Sequence, residues 1–117
     1  MRLIDYPTAI AQQQREFLRE EQHVRRLQEI VNRHTAEIDT QIAFDSDLRN
    51  DAQRKAKRIE LMRSPDRQRA WANLQMAQDR RAEIEIDLSL LRNQFSVLKL
   101  EMRETIALRE LQVADAA

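Results

Sequence analysis

Glycine is absent from these 117 residues, and so is cysteine; proline occurs twice and aromatic side chains make up 4%. Each absence excludes something. Ordinary chains carry about 7% glycine. Without it, left-handed turns, tight hairpin loops and phosphate-cradling loops lose their usual residue. Without cysteine there is no disulfide framework and no thiolate metal site. No stretch approaches the roughly 20 apolar residues of a membrane span. Residues 1–10 hold Asp5 and Pro7 but no apolar segment of signal-peptide length. The expectation is a cytoplasmic protein with no membrane partner.

What is present is the vocabulary of long helices: Ala, Glu, Gln, Leu and Arg, with 34% charged residues. So little punctuation leaves room for few elements, each of them long. The chain is short enough for a single domain, 1–117. Pro7 or Thr8 starts the first helix, since proline is tolerated in a first helical turn. Ile10, Phe17, Val24, Val31 and Ile38 then recur every seven residues, and Leu27 and His34 add the companion positions of a heptad seam. Gln13 and Glu20 thin that seam at its start. Past Ile38 the phase drifts through Ile42, Leu48, Ala52, Ala56, Ile59 and Met62. Asp45 occupies a position the heptad wants apolar, so a stutter or break is expected around residues 44–47, where Ser46 and Asp47 can cap a restarted helix. One continuous helix over about 7–63 is the simpler reading.

Arg63-Ser64-Pro65-Asp66 is the clearest punctuation. Ser64 suits an N-cap, Pro65 a first helical position and Asp66 the positive end of the helix that follows. The residue before proline is pushed out of the α region. We therefore expect a hairpin turn at Ser64-Pro65-Asp66, a kink in one uninterrupted helix being the competing reading. The second helix, about 65–113, carries a seam at Leu74, Ala77, Arg81, Ile84, Leu88, Leu91, Phe95, Leu98, Met102 and Thr105. The alternation over residues 84–90 imitates a strand, but no turn residues flank it and no partner strand exists. The fold class is thus all-α: two long helices in an antiparallel coiled-coil hairpin. A turn at Ser64 pairs positions whose numbers sum to about 130, bringing Ile59 to Trp71, Ile42 to Leu88 and Val31 near Leu98. Ile86, Leu90, Val97 and Leu100 lie off the main seam, more apolar surface than one partner helix covers. Dimerisation into a four-helix bundle through them is expected.

Chemistry has few candidates. His23 and His34 are the only histidines. Glu20-x-x-His23 has the spacing of one half of a di-iron site, but no second Glu-x-x-His exists, and His34 reads as a seam residue with one nitrogen hydrogen-bonded. Glu83, Glu85 and Asp87 read as a solvated face. No catalytic, cofactor or metal site is expected.

Charge is balanced overall, twenty basic against twenty acidic residues, but unevenly placed. Residues 1–48 carry a net −3, residues 49–69 a net +5 and residues 70–117 a net −2. Arg54, Lys55, Lys57, Arg58, Arg67 and Arg69 form the positive block. Cations near the end of a helix complement its dipole, but Arg67 and Arg69 stand in a first turn, where they oppose it. That points to an acidic partner such as nucleic-acid phosphates, with Trp71 beside the block to stack on a base or close the core against Ile59.

The run Leu48-Arg49-Asn50-Asp51-Ala52-Gln53-Arg54-Lys55-Ala56, with Ser64-Pro65-Asp66 and Leu91-Arg92-Asn93-Gln94-Phe95, resembles small helical-hairpin proteins of phages and other mobile elements. These carry an Asn-x-x-x-Arg-Lys-Ala run before the turn and an Arg-x-x-Phe in the returning helix. The resemblance covers about half the chain and implies an accessory role near DNA. Trp71-Ala72-Asn73 lacks the glycine of the Trp-x-Gly motif of small secreted hairpin proteins. Export chaperones of the flagellar type share the hairpin architecture, without a specific residue pattern here. The leading expectation is a non-enzymatic coiled-coil scaffold that self-associates through its second helix. The alternative is a nucleic-acid-binding accessory using the basic block.

Overall fold

A computed structural model describes residues 1–116. A single 3-10 turn, Leu3–Asp5, leads into three α-helices: α1 (Tyr6–Ala43), α2 (Asp51–Met62) and α3 (Pro65–Ala116). There is no strand among the described residues. The chain packs as two compact units, residues 19–81 on the one hand and residues 1–18 with those from 82 onward on the other.

Within residues 19–81 the core is Val24, Leu74 and Ala77, with Leu27 and Val31 packed against it. Leu74 is 1% exposed and is the most deeply buried large side chain. Burying a leucine this fully contributes about 1.5–3 kcal/mol. Glu20 accepts from Arg80 Nε at 3.3 Å, and Arg67 reaches Glu37 at 4.0 Å. As numbers rise along α1 they fall along α3, so the two segments are antiparallel. The paired numbers sum to about 100, not the 130 that a turn at Ser64 demands.

That shift relocates the reversal. Arg58 of α2 pairs with Asp39 of α1, and Met62 further along α2 lines a cleft with His34 and Val31, so α2 also runs back along α1, in the same sense as α3. The chain reverses over residues 44–50, and Ser64-Pro65 is a kink within the returning arm. The first helix is consequently not continuous over 7–63. It stops at Ala43, where Phe44 N–H still donates to Thr40 at 3.1 Å and Asp45 N–H only to Ile42. Asp45 Oδ1 then accepts from Asp47 N–H at 3.0 Å, a side chain-to-backbone turn that needs no glycine. The restart is capped by Asn50 rather than by Ser46 or Asp47. Its backbone is extended and its Oδ1 accepts from Gln53 N–H at 2.9 Å, while Gln53 Oε1 accepts from Arg49 N–H at 2.7 Å. Two otherwise unpartnered donors at the helix start are thereby satisfied.

The kink has its own chemistry. Arg63 N–H donates to Glu60 O, and Ser64 O already accepts from Gln68 N–H at 3.0 Å, so one helix starts almost where the other ends. Arg67 Nη1 donates to Leu61 O at 2.8 Å, capping α2 from the first turn of α3. The other pairings expected from a Ser64 turn fall with it: Ile59 and Trp71 are about half exposed, and Val31 packs on the Val24–Leu74 cluster. The α2 face drawn through Ala52, Ala56, Ile59 and Met62 is exposed, and Lys57, Arg58 and Leu61 are half-buried instead.

In the other unit, Tyr6 is buried and its ring stacks on Phe95, with centroids 5.6 Å apart and planes 7° from parallel. Lys99 Nζ lies 4.3 Å from the Phe95 centroid, a cation–π contact. Asp5 fixes the entry to α1: its carboxylate accepts from Arg2 N–H at 3.0 Å. Ile84 and Leu88 are buried, and Phe17 and Gln14 line a groove with Leu88. The seam drawn from the sequence thus holds from Leu74 to Leu98. Met102 and Thr105 drop out of it, because α3 is exposed from Glu101 onward.

Candidate interaction surfaces

Two surfaces stand out, one polar and one apolar. The polar one is the basic block. Four of its six members are drawn into ion pairs: Arg54 with Asp51 at 3.0 Å, Lys57 with Glu60 at 3.7 Å, Arg58 with Asp39, and Arg67 with Glu37. Lys55 and Arg69 are exposed and make no ion pair among the described residues. Two of the carboxylates, Glu37 and Asp39, come from α1. They lower the positive surplus of residues 49–69 from five to three.

Arg67 loses its status as a charge set against a dipole, because its guanidinium satisfies the carbonyl end of α2. The reversal nearest the block carries Asp45 and Asp47, so the basic residues occupy the flank of the returning arm and not a turn. Surface pairs of this kind are worth about 0–1 kcal/mol each and leave the guanidinium edges open to other acceptors.

Beside the block, Val31, His34, Ile38, Met62 and Trp71 line an open cleft of about 200 Å3. Trp71 is 53% exposed there, which rules out its closing a core against Ile59. His34 Nδ1 is buried without a hydrogen-bond partner, so the bond expected of this ring is not made at that nitrogen. Glu20, the acidic half of the Glu-x-x-His spacing, is held by Arg80. No group of three or more potential metal ligands is gathered among the described residues. No helix among them is long and apolar enough to cross a membrane.

The apolar surface belongs to α3. Ile86 is 67% exposed, Leu90 53%, Val97 52% and Leu100 61%. A step of two residues turns an α-helix through about 200°. Ile86 and Leu90 therefore lie almost opposite Ile84 and Leu88, and Val97 and Leu100 almost opposite Phe95 and Leu98. The inner face of α3 is occupied by residues 6–17 of α1, and the outer face carries a second apolar stripe with nothing over it. Ala82, Ile86, Leu90 and Asn93 line a shallow groove along it. Sequence reasoning found this stripe because four apolar side chains departed from the first seam. It missed Tyr6, whose burial depends on Phe95 lying across from it.

Comparison of the chain with protein-family models, curated proteins and solved structures finds no significant match.

Proposed function

We propose that this protein is a non-enzymatic scaffold or adaptor that self-associates through the outer stripe of α3. One observation carries the reading: four large apolar side chains, each more than half exposed, recur along a helix whose opposite face is already covered. Contiguous exposed apolar surface on a small soluble chain is a hallmark of an interaction face. Scattered single hydrophobics would carry no such meaning. Association at this stripe makes a coiled-coil contact of helix on helix. Catalysis forms no part of the proposal.

The test is light scattering coupled to size-exclusion chromatography on the whole protein, at low and high salt, with and without a short DNA duplex. The reading predicts a dimer whose mass ignores both salt and DNA, since an apolar interface is not screened. A monomer that acquires DNA at low salt and sheds it as salt rises would replace it with the electrostatic alternative at Lys55 and Arg69.

A further inference from the structure

The outer stripe of α3 has a symmetry of its own. Ile86, Leu90, Asn93 and Val97 are followed by Leu100, Glu104, Ala107 and Leu111, with steps that alternate four and three and read the same in both directions. All eight positions are exposed. We infer that two copies pair antiparallel along this stripe, with the two-fold axis between Leu98 and Lys99. The inference rests on the self-association proposed above and adds its direction and register.

The polar members of the stripe decide the geometry. With the axis there, Val97 meets the partner's Leu100, Leu90 meets the partner's Ala107 and Ile86 meets the partner's Leu111. Asn93 then meets the partner's Glu104, so an amide N–H2 donor faces a carboxylate acceptor. Apolar pairs with apolar and polar with polar in every layer. A parallel pairing instead sets Glu104 against the partner's Glu104, two like charges in one layer with no cation to compensate them. Slipping the antiparallel register by one heptad sets Glu104 against Ile86 in one direction and against Leu100 in the other, burying a carboxylate on an aliphatic side chain.

The positions flanking the stripe raise no objection. Asp87 comes opposite the partner's Leu108, Gln94 opposite the partner's Glu101, and Ser96 opposite the partner's Arg103, so no like charges meet. Because α1 begins near the level of Phe95 and α3 is exposed from Glu101 onward, each level of the pairing holds three helices, one copy's α1 and α3 with the partner's bare α3, rather than a closed four-helix bundle.

The native chain has no cysteine, so engineered thiols report the register without interference. The variants are L90C, A107C and the double variant L90C/A107C, each oxidised as the whole protein, with light scattering run alongside. Both positions are exposed, so the substitutions spare the core. Within one copy the two positions lie about 25 Å apart along α3, beyond the reach of a disulfide. The antiparallel pairing predicts a covalent dimer from the double variant in roughly tenfold greater yield than from either single variant. A dimer in which L90C alone cross-links as fully as the double variant would overturn the antiparallel direction and leave self-association standing. A dimer in which none of the variants cross-links would overturn the proposed register and likewise leave self-association standing. A native protein that scatters as a monomer would overturn both readings.

Discussion

The Arg67 guanidinium lies where α2 ends and α3 begins, donating to Leu61 O and reaching Glu37. Leu61 O also accepts from Ser64 N–H at 3.5 Å, and a charged donor fixed by a second contact adds about 1–2 kcal/mol. Arg67→Met keeps the side-chain stem and removes both contacts. It should lower stability by about 1–2 kcal/mol in urea unfolding, whereas Arg69→Met should stay within about 0.5 kcal/mol of native. Equal losses at the two positions would mean that the α2 cap is not what Arg67 supplies.

Leu74 tests the core itself. Leu74→Ala removes the most buried side chain of its unit and should cost about 2–4 kcal/mol. Asn50→Ala, by loss of one cap, should cost about 1 kcal/mol. Circular dichroism at 222 nm during denaturant titration reads all four variants.

At the scale of elements, the question is where the chain turns back. Ser64-Pro65-Asp66 marks a helix start in the sequence, and a helix does start there. The signal says nothing about the angle to the element before it. The Arg58–Asp39 and Arg67–Glu37 pairs place the two helices of the returning arm against α1. The true reversal has no glycine or proline to announce it. It uses Asp45 and Asn50, residues whose side chains bond the backbone and so end or start a helix without a left-handed residue. A break near residue 45 was legible because Asp45 violates the heptad; that it is the reversal was not.

The seams were legible for a firmer reason. Alternating three- and four-residue steps admit only one face of a helix, so Val24, Ile38, Leu74, Ala77, Ile84 and Leu88 had to lie inward whichever way the arms were joined. Spin labels attached at Gln22 and Gln75, both exposed, separate the two topologies. With the reversal at residues 44–50 the labels should lie within about 20 Å; a turn at Ser64 would separate them by about 50 Å. Pro65→Ala should leave the short distance in place, because a kink and not the turn is being relaxed.

For the molecule as a whole, the balance of charge conceals a division of labour between surfaces. Residues 49–69 hold most of the net positive charge, yet intramolecular carboxylates engage four of the six residues that appeared free in the sequence. A charge block counted along the chain overstates the field that a partner meets, since α1 brings Glu37 and Asp39 alongside it. The apolar excess of α3 behaves in the opposite way: folding covers one stripe and leaves the other as exposed as the sequence implied. Self-association at that stripe is the account's central claim.

It is tested most directly by placing charges on the stripe with the double variant L90E/V97E, measured by light scattering and circular dichroism together. The account predicts the mass of two chains for the native protein, and native helix content with the mass of one chain for the variant. A variant that keeps both its helix content and the native dimer mass would contradict it, because the copies would then be held together somewhere other than the outer face of α3.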